Sequence, residues 1–136
     1  MRVNTISPAL AGSLPIYDLK VGYRVEIEIR NRGDVKLIKL TGRFTLGDAC
    51  DQFRATLDDL AATGANRYVV DLAEVKMLDS SGIGLLVVSL TNSKQRGGAL
   101  KLLNPSKFAV QTLKMIGLLN QFEVFEDPEA AVASFT

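Results

Sequence analysis

Strict alternation of apolar and charged residues begins at Tyr23. In YRVEIEIR, Val25, Ile27 and Ile29 fall on one side and charged residues on the other, the pattern of a strand with one buried face. NRGD, Asn31 to Asp34, supplies turn chemistry, and VKLIKLTG, Val35 to Gly42, reads as a strand running back. The period then changes. In TLGDACDQFRATLDDLAATG, Leu46, Ala49, Phe53, Leu57 and Leu60 recur at helical spacing, with Thr45 as candidate N-cap and Gly64 as stop. RYVVDL, Arg67 to Leu72, is short, β-branched and unalternating, as a central strand covered on both faces would be.

After a short connector comes MLDSSGIGLLVVSL, Met77 to Leu90. Apolar residues surround any helix drawn through it, so the helix is expected to be deeply buried, ending at Gly97 and Gly98. ALKLL predicts another strand. NPSKFAVQTLKMIG predicts a third helix with Val110, Leu113 and Ile116 or Met115 inward and Gly117 at its end. FEVFED offers a brief last strand. DPEAAVASF starts a helix with Asp127 as N-cap, Pro128 at the first helical position and Glu129 in the first turn.

A hairpin followed by alternating strands and helices predicts one α/β domain over residues 23–136. Its mixed sheet would have four to five strands, the later ones parallel, with about four helices. Residues 1–22 read as a flexible or loosely docked N-terminal extension. In such sheets functional groups gather beyond the carboxyl ends of the parallel strands, where the Asp79 to Gly82 turn falls.

Composition narrows the chemistry. Sixteen basic against fifteen acidic residues leave a net charge of +1, so no overall field favours nucleic acid or an anionic membrane. No apolar run approaches the ~20 residues of a membrane span. The N-terminal apolar stretch is broken by Ser7, Pro8, Gly12, Ser13 and Pro15, which argues against a secretory signal. Cys50 stands alone, excluding an intramolecular disulfide and fitting a small buried hydrophobe in a reducing cytoplasm. Histidine is absent. That removes the usual general base for a serine nucleophile and the commonest zinc ligand.

Ser80 and Ser81 are therefore poor candidates for catalysis. The G-x-S-x-G elbow fails at both, since Leu78 and Asp79 stand where its first glycine belongs. GIGLLV has valine where a dinucleotide fingerprint needs its third glycine, and no G-K-S/T follows. The acidic pair of an aspartate-phosphorylated receiver is missing after the first strand. Two readings remain. In the structural one, Asp79 or Ser80 caps the helix, while Gly82 and Gly84 let it approach a strand closely. In the functional one, a serine in the first turn of a rigid helix receives a phosphate, which the free N–H donors and the helix dipole tolerate.

VVDLAEVKMLDSSGIGLLVVSL, Val69 to Leu90, resembles the signature of STAS domains, specifically the bacterial anti-sigma factor antagonists. Its pattern is an apolar strand ending in an acid, a connector, then D-S-S-G-apolar-G opening an apolar helix. Leu40 to Gly42, Gly97 to Ser106 and the segment from Leu113 to Phe135 agree with the family. The likeness covers Tyr23 to Phe135.

The resemblance implies a cytoplasmic binding module in transcription regulation, not an enzyme, with no cofactor and no metal. Its partners would be an anti-sigma factor serine kinase, which it binds to release a sigma factor, and a PP2C-type phosphatase. The resemblance also implies no direct contact with nucleic acid and no membrane insertion. The phosphorylated serine corresponds to Ser80, with Ser81 the second choice. The partner-binding surface corresponds to Asp79, Ser80, Ser81, Gly82, Ile83, Gly84, Arg43 and Thr45. One departure stands out: many family members carry an acid at the end of the second strand, where this chain has Gly42-Arg43-Phe44-Thr45. The rival role is a non-switching STAS scaffold or a subunit of a lipid- or anion-transport complex.

Overall fold

A computed structural model describes residues 25–135. The expected extension over residues 1–22 lies outside the described residues, as do Tyr23 and Arg24. Strands β1 (Val25–Arg32) and β2 (Val35–Phe44) form the expected hairpin, with Ile29 opposite Ile38 and Arg32 opposite Val35. Helix α1 (Asp48–Ala62) leads to β3 (Arg67–Leu78), α2 (Ser80–Gln95) and β4 (Ala99–Leu103). Helix α3 (Lys107–Met115), a single 3₁₀ turn at Leu119–Gln121, β5 (Val124–Phe125) and α4 (Pro128–Ala133) complete the order. The sheet has five strands in sequence order, antiparallel between β1 and β2 and parallel from β2 to β5. The mixed α/β sheet opening on a hairpin is as the sequence predicted.

Side-chain alternation divides the core in two. Val25, Ile27 and Ile29 of β1 join Phe53 and Leu60 of α1, Ile83 and Leu86 of α2, and Leu113 of α3 in one large cluster. Val35, Val69, Leu103 and Ala131 form a smaller one on the opposite face. Val69 and Val70 are both fully buried yet belong to different clusters, so β3 is covered on both faces, as RYVVDL implied. Among the described residues, no helix is long and apolar enough to cross a membrane.

Four local expectations need correction. The connector after Leu72 is strand: β3 runs 12 residues to Leu78. Its extra backbone groups pair with the end of β2, which itself continues through Arg43 and Phe44, across two register shifts. Thr45 does not cap α1. The helix begins at Asp48 behind Gly47, whose φ of 107° suits glycine, and Leu46 points outward at 77% exposure. In α3 the inward stripe is Ala109 and Leu113, with Val110 half-buried, while Met115 and Ile116 face solvent. The helix ends at Met115, and Phe122 beyond it supplies the buried apolar bulk instead. Finally, α2 is not buried all round: Gly84 and Val88 lie on a solvent-facing flank.

Candidate functional site

The long β3 delivers Asp79 to the mouth of α2 in extended conformation, φ −100° and ψ −178°. Asp79, not Ser80, is the N-cap: its Oδ1 accepts the Gly82 N–H at 2.9 Å, and its backbone carbonyl accepts the Ile83 N–H at 3.0 Å. The second carboxylate oxygen turns the other way. Oδ2 accepts the Leu46 N–H at 3.0 Å, so one side chain ties the β2–α1 loop to the start of α2. Such charge-assisted bonds are stronger than neutral ones.

Gly82 explains the tightness of the turn. A β-carbon there would stand 2.3 Å from the Phe44 carbonyl oxygen and 3.0 Å from Leu78 Cδ1. The Phe44 ring in turn meets Phe53 of α1 edge-on, centroids 5.0 Å apart at 64°, a pairing that adds about 0.5–1.5 kcal/mol beyond its burial. Gly84 has no such role, since nothing lies within 4 Å of a β-carbon built on it. The close approach expected of both glycines belongs to Gly82 alone.

The expected site residues therefore separate into two groups. Ser80 is exposed, Ser81 half-buried and Gly84 exposed. Gly82 is buried and Ile83 is 1% exposed within the large core cluster. Ile83 cannot offer its side chain to a partner; it anchors the turn from beneath. Thr45 is half-buried beside the turn. Arg43 is half-buried, stands opposite Met77 in the ladder and is already engaged, not a free cation. Cys50 is buried under the same loop. Burial pushes its thiol above the ordinary value of 9.0, and the Asp79 charge adds to the rise, against a lowering by Arg54. That makes it an inert filler, as its sequence position suggested.

Sequence reasoning missed two exposed apolar residues at this corner. Leu46, 77% exposed, is tied to Asp79 through its backbone N–H, and Met77 is 42% exposed two positions before that aspartate. The available signal was Gly47, directly after Leu46, which breaks the helical spacing on which Leu46 was counted. A groove between α1 and α2, about 340 Å³ and floored by Leu57, Tyr68, Leu85 and Val88, lies farther along α2 and includes none of the turn residues.

What this arrangement can do chemically is limited and specific. The first turn of α2 carries the positive end of the helix dipole and unpaired N–H groups. Its cap is already filled by Asp79, and Ser80, the first helical residue, is exposed. There is no group of three or more potential metal ligands among the described residues.

Comparison with known proteins gives the context. The family described as "Mlab, STAS domain" matches residues 27–124. An anti-sigma-B factor antagonist of Bacillus subtilis (strain 168) is 27% identical over 109 residues, covering 79% of this chain and 97% of the relative. The anti-sigma factor antagonist SpoIIAA in its unphosphorylated form has the same fold at a TM-score of 0.70 and 23% identity, covering 79% of this chain and 94% of that one. The phosphorylated form of Bacillus SpoIIAA superposes at 0.66 and 22%, covering 81% and 99%. A sulfate transporter family protein from Wolinella succinogenes shares the fold at 0.65 and 21%, covering 77% and 87%. The family match spans most of the chain and includes the Asp79–Gly84 turn, and the fold agrees with it: the chain belongs to the STAS domain family.

Proposed function

We propose that this chain is an anti-sigma factor antagonist working in the cytoplasm by binding rather than catalysis. It docks on an anti-sigma serine kinase and so frees a sigma factor. Phosphorylation of Ser80 ends the docking, and a PP2C-type phosphatase restores it. One observation carries the reading: Asp79 holds the capping bond to Gly82, so Ser80 has no capping duty and its exposed hydroxyl is available for modification. SpoIIAA, whose fold this chain shares, is known in unphosphorylated and phosphorylated forms.

The physics of the switch is electrostatic. A phosphate adds about −1.5 to −2 charge at neutral pH. The helix N-terminus tolerates it, so the host stays folded. A docking surface that must shed water does not tolerate it, and a penalty of several kcal/mol weakens binding ~100-fold or more.

The fold also serves a transporter-family protein, so a non-switching scaffold role is the second reading. A single experiment separates them. The chain is incubated with ATP and fractionated extract of its own cells, the phosphate-transferring fraction is purified, and the modified residue is mapped by mass spectrometry. Phosphate on Ser80, lost in Ser80→Ala and retained in Ser81→Ala, with Ser80→Asp weakening association with the purified kinase, supports the switch. An unmodified Ser80 in extract and in cells favours the scaffold.

A further inference from the structure

Ser89 of α2 is 6% exposed and lines the groove between α1 and α2, yet its hydroxyl has no partner among the described residues. Its neighbours behave differently. Thr91 and Ser93 donate to carbonyls one turn back, those of Val87 at 3.0 Å and Ser89 at 2.8 Å. Among the described residues, every side-chain nitrogen or oxygen fully shut off from solvent has a partner, so the Ser89 oxygen opens into the groove it lines. A polar group sunk this deep is costly to leave unpaired. It is met by a group that enters the groove, not by one that lies across its rim.

Further donors converge on the same hollow. The Arg96 guanidinium crosses from the end of α2 to α1, where Nη2 donates to the Ala61 carbonyl at 2.8 Å. Burial raises the Tyr68 phenol above 10.0, while the charge and hydrogen bond of Arg96 act in the opposite direction, which sets the guanidinium against the groove floor. Among the described residues no carboxylate lies within ion-pair distance of Arg96. Arginine carries five N–H donors and no acceptor, so most of its donors are uncommitted. The exposed Asn92 amide, also in the lining, has no side-chain partner among the described residues. Ser89, Asn92 and Arg96, three and four residues apart, share one face of α2. Beside them lies an apolar floor, in a volume of about 340 Å³ that falls in the range of small-molecule sites.

We propose that this groove binds a small amphipathic monocarboxylate, its compact apolar body on Leu57, Tyr68 and Leu85 and its carboxylate accepting from Ser89, Asn92 and Arg96. The excess of donors calls for an acceptor, and a planar carboxylate matches the guanidinium fork. Asp58 in the lining and the C-terminal ends of both helices limit how much negative charge the groove takes. That selects a single carboxylate over a phosphate. The site is separate from the Ser80 turn and does not depend on phosphorylation there.

The test titrates the isotope-labelled full chain with phenylpropionate and with octanoate, following backbone amide shifts by NMR. Saturating shifts are expected over the groove segments, residues 57–68 and 85–96, with a Kd of about 1 mM or below. Phenylpropionamide, the neutral counterpart, binds about tenfold or more weakly, and acetate, which lacks the apolar body, does not saturate. Ser89→Ala weakens phenylpropionate binding about fivefold to tenfold. Asn92→Asp, which sets a like charge at an exposed position, and Arg96→Gln each weaken it about tenfold or more. Thermal midpoints control for folding, and Ser89→Ala and Asn92→Asp carry the test if Arg96→Gln is unstable. Failure of both carboxylates to saturate overturns the site. Equal affinity for phenylpropionate and its amide overturns the carboxylate, as does unchanged affinity in Ser89→Ala and Asn92→Asp. Shifts centred on residues 79–84 put the binding at the serine turn and overturn the groove.

Discussion

Leu46 donates its backbone N–H to the Asp79 carboxylate across 3.0 Å, although the two lie 33 residues apart in sequence. The same carboxylate accepts from Gly82 at 2.9 Å, so two strand-to-helix junctions share one side chain. Asp79→Ala removes a cap and a long-range tie together and is expected to cost about 1–3 kcal/mol. Asp79→Asn retains one acceptor and costs less. Urea denaturation gives the stabilities. Amide exchange at Leu46 and Gly82 should accelerate at both positions in the alanine variant, and an effect at Gly82 alone would show that the tie carries no weight.

Gly82 and Gly84 differ by two positions and should respond with opposite sign. Gly82→Ala drives a methyl group into the Phe44 carbonyl, a backbone atom that cannot rotate away, and is expected to destabilise by about 1–3 kcal/mol or more. Gly84→Ala meets nothing and should stabilise the helix by about 0.5–1 kcal/mol. Thermal midpoints of the two variants decide the matter.

In α3, Leu113 is fully buried whereas Met115 is 86% exposed. Leu113→Ala is expected to cost about 2–5 kcal/mol through transfer and cavity terms. Met115→Gln should stay within about 0.5 kcal/mol of the wild type. Equal losses in chemical denaturation would return Met115 to the core.

Alkaline stability should carry a contribution from Cys50. Its folded pKa is raised above 9.0 by burial first and by the Asp79 charge second. The unfolded chain therefore gives up this proton at lower pH than the folded one. The contribution is whole below pH 9.0 and disappears as pH climbs through the folded value. Tyr68, raised above its ordinary 10.0 chiefly by burial, extends the decline. Denaturation midpoints across pH 8 to 11 should fall less steeply for Cys50→Ala than for the wild type.

Lys101 is 5% exposed, and its Nζ reaches Ser134 Oγ at 2.7 Å, the Ser134 carbonyl at 3.2 Å and Glu123 at 3.2 Å. The Phe135 ring centroid lies 4.3 Å from the ammonium. This places a cation at the C-terminal end of α4, where the dipole favours it. Lys101→Met is expected to lose about 1–3 kcal/mol and to speed amide exchange over residues 130–135, leaving exchange at Gly82 unchanged.

The hairpin, the doubly covered β3 and the capped start of α4 were legible because each is written in local signals: a period of two around NRGD, an unbroken β-branched run, and the Asp127-Pro128-Glu129 triplet. Asp127 does accept the Ala130 N–H at 3.1 Å. The extension of β3 was hidden because Glu74, Val75, Met77 and Leu78 pair with Thr41 to Phe44 of β2, far earlier in the chain, a tertiary pairing that no window reveals. Leu46 was misplaced because apolar spacing counts residues without asking where the helix begins. The choice between Asp79 and Ser80 as cap was open in the sequence, as both side chains can accept from the first turn. Only the direction of the Asp79 carboxylate, aimed at two backbone donors at once, settles which side chain is spare.

The contact between Gly82 and the Phe44 peptide leaves this corner of the protein no slack. With no room for that backbone to yield, a group added at Ser80 under the proposed function would stand on a fixed platform. Its own bulk and charge, rather than a reshaped turn, would then be what a partner meets.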